Sequence, residues 1–337
     1  LGLHDHRQTP VSRPVWVARG LAWAARHPAR FARVAASMAA LPHRSTAHRA
    51  RALAMVVAAA SVTDRVAAEG IGYVHAHFAA YQTELAMALA ELLGVPFGVT
   101  AHAYDIWKDR NALADKVRRA RVMLTCTEHN AAHLRTLAPE SPERVVRVYH
   151  GLDLQQLPAI APPPPGPPWR LLAIGRLIPK KGFRFLIEAV AQARSGGLDV
   201  SCAIVGDGPE RAPLQAEIDA AGLGNAFALL GAMPNAAVWK AIAERHILVA
   251  PSIQEADGNI DGIPNVLLEA MAAGRAVIGA RLSGIPEVVR PGVTGALCEP
   301  GDAASLRAAI VTLLDGPPDE VAARLASLGA AGRALIE

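Results

Sequence analysis

Near the middle of the chain, residues 162–168 read Pro-Pro-Pro-Pro-Gly-Pro-Pro. Such a run forms neither a helix nor a central strand, because proline lacks an amide hydrogen and has a fixed backbone angle. It predicts a stiff, extended connector. We therefore expect one domain over residues 1–156, a linker over 157–168 and a second domain over 169–337. A length of 337 residues agrees with two domains of ordinary size.

On both sides of the linker, short apolar runs typical of buried strands alternate with helical patterns. Before it, the sequence predicts strands at 72–78, 96–101, 122–126 and 145–149 and helices at 84–93 and 112–120. After it, the sequence predicts strands at 170–174, 200–205, 227–230, 247–250 and 276–280 and helices at 182–194, 209–221 and 264–273. This alternation predicts an α/β protein with two doubly wound, parallel-sheet lobes. Ligands of such sheets bind beyond the carboxyl ends of the strands, here in a cleft between the lobes.

Charge and cysteine content exclude several classes of protein. The formal net charge is only +4 and no run of five Lys or Arg occurs, so no nucleic-acid partner is expected. Cys126, Cys202 and Cys298 stand far apart, so neither a zinc site nor a disulfide framework is predicted, and a reducing cytoplasm fits this pattern. The apolar run at 52–62 is too short to span a bilayer.

The first 70 residues predict helices in which arginines and tryptophans recur at helical spacing. These residues are Trp16, Arg19, Trp23, Arg26, Arg30 and Arg33. One interpretation is a surface that contacts anionic lipid, which would give a peripheral contact with the inner membrane. The other, which we favour, is an ordinary amphipathic surface with solvated arginines.

A cationic loop follows the first strand after the linker. The segment 175–183 leaves that strand and enters a helix, with glycines that permit tight turning. It places Arg176 and Lys181 at the end of the sheet, beside the unpaired amides of a helix N-terminus, where a diphosphate would bind. Solvated surface cations are the alternative. The segment 205–210, Val-Gly-Asp-Gly-Pro-Glu, lacks GxGxxG and predicts only a structural turn.

A second anion-suited helix start lies further along. A strand ending at Pro251 leads through a loop to a helix that begins at Pro264. Because the first amides of a helix have no intrahelical partner, those of Asn265, Val266 and Leu267 are predicted to bind an anion together with the helix dipole.

Two carboxylates flank this helix start. Glu269 lies one turn into the helix, where a carboxylate can accept hydrogen bonds from a ribose diol, as in dinucleotide-binding folds. Asp261 lies in the preceding loop. The alternatives are that Asp261 caps the turn and that Glu269 pairs with a surface arginine.

Three histidines fall on adjacent predicted strands before the linker. His75 and His77 lie on the same side of their strand, and His102 lies at the end of the next strand. Two histidines at this spacing can bind a metal, but without a third ligand at suggestive spacing, hydrogen-bonding histidines are favoured. His102 is the better functional candidate, because strand-end loops hold the sites of this architecture.

Together these segments resemble the group 1 retaining glycosyltransferases, the large family 4, and within it the colanic-acid and exopolysaccharide branch. The resemblance covers about residues 70–310. It rests on a set of motifs in this order: His75-Ala76-His77-Phe78, Thr100-Ala101-His102, Arg176 with Lys181-Gly182, Val205-Gly206-Asp207-Gly208, Leu230-Gly231, Pro251-Ser252, residues 261–274, and Ser283-Gly284-Ile285-Pro286-Glu287.

The resemblance implies the GT-B fold, with two Rossmann-like lobes. It implies transfer of a sugar from a UDP- or GDP-sugar to a hydroxyl of a glycan or lipid-linked glycan, with retention, in exopolysaccharide or other cell-surface glycan synthesis. The location would be the cytoplasm, or its face of the membrane, and neither a cofactor nor a metal is expected. The alternatives are a nucleotide-sugar 2-epimerase on the same scaffold and a non-catalytic nucleotide-sugar-binding protein.

The resemblance also assigns roles to single residues. Arg176 and Lys181 would neutralise the donor diphosphate. Glu269 would hold the ribose hydroxyls, and the backbone around Met233 would meet the base. The catalytic contacts with the donor sugar would come from Asp261 and His102.

The sequence departs from the family pattern in two places. The family has Glu, seven residues and then Glu, whereas Asp261 stands in the first of these positions and shortens the reach of the carboxylate by one methylene. The first strand and Gly-rich loop of the family have no equivalent here. The closing helix of the family, which crosses back to the first lobe, is also cut short. We therefore expect a form truncated at both ends that is weakly active or inactive by itself, while its full-length parent is an enzyme.

Overall fold

The computed structural model describes residues 13–154, 157 and 166–337. Most of the predicted linker, 157–168, lies outside the described residues. Within each of the two units into which the chain divides, the residues pack around a separate apolar core.

The first unit comprises Leu1–Cys126 and Asn130–Val148, and the second comprises Thr127–His129 and Tyr149–Glu337. Each contains one parallel sheet. We describe the two units one after the other.

Three helices precede the sheet of the first unit: α1 (Arg13–Arg26), α2 (Pro28–Ala39) and α3 (Thr46–Ala68). Pro28 begins α2, a position where proline is tolerated because the first amides of a helix are not bonded within it. Trp23 is 3% exposed, and its indole N–H donates to Asp64 on α3 at 2.8 Å. The tryptophan therefore faces α3, whereas the four predicted arginines of α1 and α2 are exposed.

The sheet of the first unit has four strands in the order β1-β2-β3-β4, all parallel. The strands are β1 (Val74–His77), β2 (Phe97–Ala101), β3 (Val122–Thr125) and β4 (Val145–Arg147). The connecting helices are α4 (Tyr81–Leu93), α5 (Leu113–Arg119) and α6 (Glu128–Leu137). Gly94 ends α4 in the left-handed conformation, φ 75°, which glycine adopts without steric cost. The strand predicted to reach residue 149 already ends at Arg147.

The sheet of the second unit has six parallel strands in the order β10-β9-β8-β5-β6-β7. The strands are β5 (Trp169–Ile174), β6 (Val200–Val205), β7 (Phe227–Gly231), β8 (Ile247–Ala250), β9 (Ala276–Ala280) and β10 (Gly295–Cys298). The helices are α7 (Phe183–Ser195), α8 (Arg211–Ala220), α9 (Asn235–Ala243), α10 (Asn265–Ala272), α11 (Ile285–Val288), α12 (Ala303–Leu314) and α13 (Pro318–Ile336). The strand order reverses between β5 and β8, so a crevice for ligands opens at their carboxyl ends.

The loops that leave β5 and β8 are in direct contact. Ile253 donates its backbone N–H to the carbonyl of Lys180 at 2.8 Å. Gly182 has φ 67°, and a Cβ on it would lie 1.9 Å from the carbonyl oxygen of Pro251, so only glycine permits this approach. The turn after β6 supports the same loop, because Leu177 donates its N–H to the carbonyl of Asp207 at 3.0 Å.

No helix in the described part of the chain is long and apolar enough to cross a membrane. The predicted α/β class with two doubly wound, parallel sheets is confirmed.

Candidate functional site

The site begins where β5 and β8 end, with one carboxylate between two ammonium groups. The Nζ atom of Lys181 lies 2.8 Å from Oδ2 of Asp261, and the Nζ atom of Lys180 lies 2.9 Å from Oδ1. Ser252 donates its hydroxyl to Asp261 at 3.4 Å. The three charged side chains are between 13% and 19% exposed, so they are shielded from water but still accessible from the crevice.

The charge state of Asp261 follows from these neighbours. Burial alone would raise its pKa, but the positive charges and hydrogen bonds of Lys181 and Lys180 outweigh burial, so the pKa lies below its ordinary value. Asp261 is therefore a carboxylate at neutral pH. It accepts hydrogen bonds from side chains, and the alternative that it only caps a turn does not describe its contacts.

Arg176 lies on the same loop, directly after β5, and its side chain is exposed. It forms no salt bridge with any residue that the structure describes. The loop continues into a short 3₁₀ turn, Pro179–Lys181, from which both lysines extend. Two lysines, one carboxylate and one arginine leave a surplus of positive charge at the end of β5.

The start of α10 differs from the prediction in one amide. Pro264 is the N-cap residue and no side chain caps the helix. The N–H of Leu267 donates to the carbonyl of Pro264 at 2.9 Å, so the expectation that this amide is unpaired is wrong. The first turn closes by an i to i−3 bond, as is common at helix ends. Among the described residues, the backbone N–H groups of Asn265 and Val266 have no backbone partner, so two amides at the helix start are still available to an anion.

Glu269 lies one turn further along α10 and lines a pocket of about 440 Å³. The pocket is large enough for part of a small ligand. Its lining residues are Leu152, Asp153, Leu157, Asn235, Ala236, Trp239 and Glu269. Burial raises the pKa of Glu269, and the side chain forms no salt bridge within the described ranges. The alternative that Glu269 pairs with a surface arginine therefore does not hold among these residues.

Met233, the predicted neighbour of the base, follows β7 and packs partly buried against the core of the second unit. It precedes α9, whose Asn235 and Trp239 line the pocket of Glu269. Met233 and the pocket-lining residues of α9 are therefore close to each other along the chain. The contact of Met233 with a base stays a prediction.

In the first unit, His75 lies within β1, His77 is its last residue, and His102 follows β2. His75 shares a hydrogen bond with the hydroxyl of Thr100 at 2.8 Å, which agrees with the hydrogen-bonding role favoured above. The ring of His102 lies 4.6 Å from the ring of Phe78 and 6.3 Å from that of His77, measured between centroids. The backbone N–H of His102 donates to Asp105 at 3.0 Å.

Sequence reasoning missed several residues of these arrangements. The sequence alone did not distinguish Lys180 from a surface lysine. The signal that could have done so is its position beside Lys181 on a tight turn, from which both side chains reach one partner. Trp239 and Asn235 gave no signal, because α9 has no motif of its own. The buried carboxylate of Asp105, which holds His102, was not given a role either.

The fold and this geometry define the class of doubly wound α/β proteins, here with a cluster of charged side chains at the switch point of the second sheet. Residues 168–316 match the family model described as glycosyl transferases group 1, and residues 13–156 match that described as glycosyltransferase family 4. The chain belongs to these glycosyltransferases, as the motifs indicated.

Two relatives are similar in sequence. The amylovoran biosynthesis glycosyltransferase AmsK of Erwinia amylovora is 36% identical over 160 residues, which are 48% of this chain and 39% of AmsK. WcaL of Salmonella typhimurium, named for colanic acid biosynthesis, is 32% identical over 191 residues, which are 57% of this chain and 47% of WcaL. The matched part of the chain thus spans about half of each relative or less.

Two solved structures are similar in fold. Sucrose-phosphate synthase from Thermosynechococcus elongatus has a TM-score of 0.68 at 20% identity, over 84% of this chain and 73% of the other. HepE from Anabaena, in complex with UDP, has a TM-score of 0.67 at 20% identity, over 83% of this chain and 77% of the other. These similarities confirm the predicted GT-B fold.

Glu269→Gln tests whether the carboxylate of Glu269 lacks a stabilising partner, as it does among the described residues. Because the pKa of Glu269 is higher in the folded chain than in the unfolded chain, ionisation of this side chain opposes folding. The free energy of unfolding therefore falls as the pH rises from about 4.3, the ordinary pKa of a glutamate, through the pKa in the folded chain. The glutamine variant lacks this dependence. We expect its melting temperature without ligand to equal or exceed that of the wild type at neutral pH, with the difference vanishing in acid.

The matched control is Glu244→Gln, which replaces an exposed carboxylate at the end of α9 and should not reproduce the effect of Glu269→Gln on the melting temperature. A lower melting temperature of Glu269→Gln at neutral pH would show instead that the carboxylate is stabilised by a partner.

Proposed function

We propose that the protein to which this chain belongs transfers a glycosyl group from a nucleoside-diphosphate sugar to an acceptor hydroxyl. The observation that supports this most is the charge cluster at the ends of β5 and β8, in which Lys180 and Lys181 share Asp261. The start of α10 follows the same loop as Asp261. A surplus of cations beside a helix N-terminus suits a pyrophosphate.

The proposed leaving group is the nucleoside diphosphate. As its bond to the sugar breaks, negative charge develops on the outer phosphate oxygen. Lys181, Arg176 and the amides of Asn265 and Val266 would stabilise this charge, because the loop after β5 and the start of α10 hold them close to the crevice. The site would therefore need no metal for charge neutralisation.

Asp261 occupies a special position in this proposal, because it shares the lysines with the phosphate. When a diphosphate enters, the ammonium groups gain a second anionic partner, and Asp261 becomes available to face the donor sugar. The roles of Asp261 and His102 toward that sugar rest on the family resemblance. Asp261 is one methylene shorter than the family residue and reaches less far.

The nucleoside would lie on the side of Glu269. Its carboxylate has no competing salt bridge in the described part of the chain, and it is half-buried, so two ribose hydroxyls would find an unshared acceptor. Trp239 and Asn235 on α9 complete this pocket. The backbone around Met233 would contact the base.

The comparisons support a class of donor and acceptor by analogy. HepE is a UDP complex, which favours uracil over guanine as the base. AmsK and WcaL are named for amylovoran and colanic acid biosynthesis, which supports a glycan or lipid-linked glycan acceptor in exopolysaccharide synthesis. Retention of configuration belongs to the same proposal. No observation favours the 2-epimerase or a non-catalytic binding protein.

Peripheral membrane contact on the cytoplasmic side, the less favoured of the two interpretations of the sequence, is a further part of the proposal because of what the first helices expose. Between residues 13 and 63 the chain has eight arginines and no Asp or Glu. The helices α1 and α2 expose Arg19, Arg30 and Arg33, and Leu21 on α1 is 55% exposed. Cations beside exposed apolar side chains suit an anionic lipid surface.

Lys181→Ala and Arg176→Ala test the diphosphate site. Because each removes a fixed charge that acts in the transition state, we expect the transfer rate to fall about a hundredfold or more. The measurement is turnover of UDP- and GDP-sugars by this chain and by an N-terminally extended form. Arg307→Ala, an exposed cation on α12, is the control and should not change the rate.

A loss of less than about threefold in both variants is too small for a transition-state contact and would remove the diphosphate assignment. Conversion of the donor without any acceptor would indicate the epimerase, and nucleotide binding without turnover in both forms would indicate the non-catalytic protein.

The membrane proposal is tested by sedimentation with phosphatidylglycerol vesicles. We expect binding that weakens with added salt, because exposed charges are screened, and that falls in the double variant Arg19→Ala, Arg33→Ala but not in Arg307→Ala. Equal binding to neutral phosphatidylcholine vesicles, or none to either, would contradict the proposal.

A further inference from the structure

Phe78, directly after β1, has a backbone conformation that its side chain disfavours. Its φ is 73°, in the left-handed region that favours glycine. Its ring is nevertheless 41% exposed, so burial of the ring does not explain the conformation. Strained backbone of this kind persists only where the surroundings enforce it, and it occurs often at functional sites.

Two buried charged side chains enforce this conformation by holding the next residue, Ala79. The N–H of Ala79 donates to Oδ2 of Asp105. The carbonyl of Ala79 accepts a hydrogen bond from Nζ of Lys116 at 2.8 Å, and that of Ala80 accepts one at 3.0 Å. The peptide groups after Phe78 are thus fixed on both sides.

Both of these charged groups are inside the first unit. The residues Asp105 and Lys116 have no exposed surface, and Nζ of Lys116 also lies 3.3 Å from Oε1 of Glu84, which is equally buried. Burial of charges opposes folding unless hydrogen bonds compensate. Here the compensating hydrogen bonds go largely to the backbone at Ala79 and Ala80, so the buried charges fix the backbone at the end of β1.

Asp105 also holds the neighbouring strand end. Its Oδ1 accepts the N–H of His102, the residue after β2, at 3.0 Å. Asp105 itself lies on a single π-helical turn, Tyr104–Lys108, a rare form that is frequent at functional sites. One carboxylate thus joins the ends of β1 and β2, and the rings of Phe78 and His102 come to lie 4.6 Å apart.

We propose that Asp105 is a positioning residue which, with Lys116 opposite it, presents Phe78 beside His102 as a preformed surface for a sugar ring. The face of a pyranose with its C–H groups is apolar, and sites for such ligands combine aromatic surface with a few polar groups. This inference rests on the proposed function. The ring belongs to the donor or to the acceptor, and the experiment distinguishes the two.

The test compares Asp105→Asn with the wild type in steady-state kinetics. Asparagine has one acceptor oxygen, so one of the two backbone N–H groups loses its partner. We expect kcat/KM to fall about tenfold to a hundredfold, because the contact surface is displaced, while the affinity for UDP, which binds the second unit, is unchanged. A rise in the KM of the donor assigns the ring to the donor, and a rise in that of the acceptor assigns it to the acceptor.

The control is Thr63→Val, which removes a buried hydroxyl that donates to Ala59 within α3. It changes a buried polar group of the same unit at a place remote in sequence from β1 and β2, and it should leave the kinetics unchanged. If Asp105→Asn does not fold, Phe78→Gly replaces it. Glycine accepts the left-handed conformation, so this variant should melt above Phe78→Ala while losing the same activity. Wild-type kcat/KM in Asp105→Asn or Phe78→Gly would overturn the inference.

A second readout does not depend on turnover. Aromatic NMR spectra are recorded with the methyl glycosides of glucose, galactose and N-acetylglucosamine. We expect shifts of the Phe78 and His102 rings in the wild type and their loss in Asp105→Asn. If the protein transfers no sugar, the proposed function fails, but these shifts still support the surface. The absence of shifts with all three glycosides would overturn the inference.

Discussion

The pairing of β5 with β8 is the constraint on which the second unit depends. These strands are neighbours in space but distant in sequence, and their connections lead away from each other. The loops after them therefore meet where the sheet opens. The backbone bond from Ile253 to Lys180 and the close approach of Gly182 to Pro251 fix that meeting. Without it, the lysines of one loop would not reach the carboxylate of the other.

The charged side chains differ in burial between the two units, and this difference agrees with the functions proposed for them. In the second unit, Asp261 and its two lysines remain partly accessible, so the lysines can exchange one anion for another. In the first unit, Asp105 and Lys116 are fully buried and bind backbone groups. Accessible charges suit ligand binding, whereas buried charges suit the fixing of a backbone conformation.

Much of the fold was predictable from the sequence, because buried parallel strands are continuous apolar runs. The strands at 200–205, 247–250 and 276–280 were predicted with the bounds that the structure has. The sequence analysis gives no bounds for helices α6, α9, α11, α12 and α13 or for strand β10. In α13 the larger apolar residues Val321, Leu325 and Leu328 recur at helical spacing and are buried, so the pattern of this helix was present in the sequence.

The site was predictable in its segments but not in its contacts. The motifs identified Lys181, Asp261 and Glu269 as candidate site residues. They did not show that Lys180 contacts the same carboxylate, Asp261, as Lys181 does. A sequence also does not reveal how the first turn of a helix closes, which is why Leu267 was counted among the unpaired amides. The role of Asp105 depends on a π-helical turn and on burial, and neither has a sequence signal.

The most direct measurement of the central claim is calorimetry of this chain with UDP, UMP and uridine at two salt concentrations. If cations at the ends of β5 and β8 hold a pyrophosphate, UDP binds at least about tenfold more tightly than UMP, uridine binds weakest, and added salt reduces the difference. Equal affinities for UDP and UMP, independent of salt, would contradict the account.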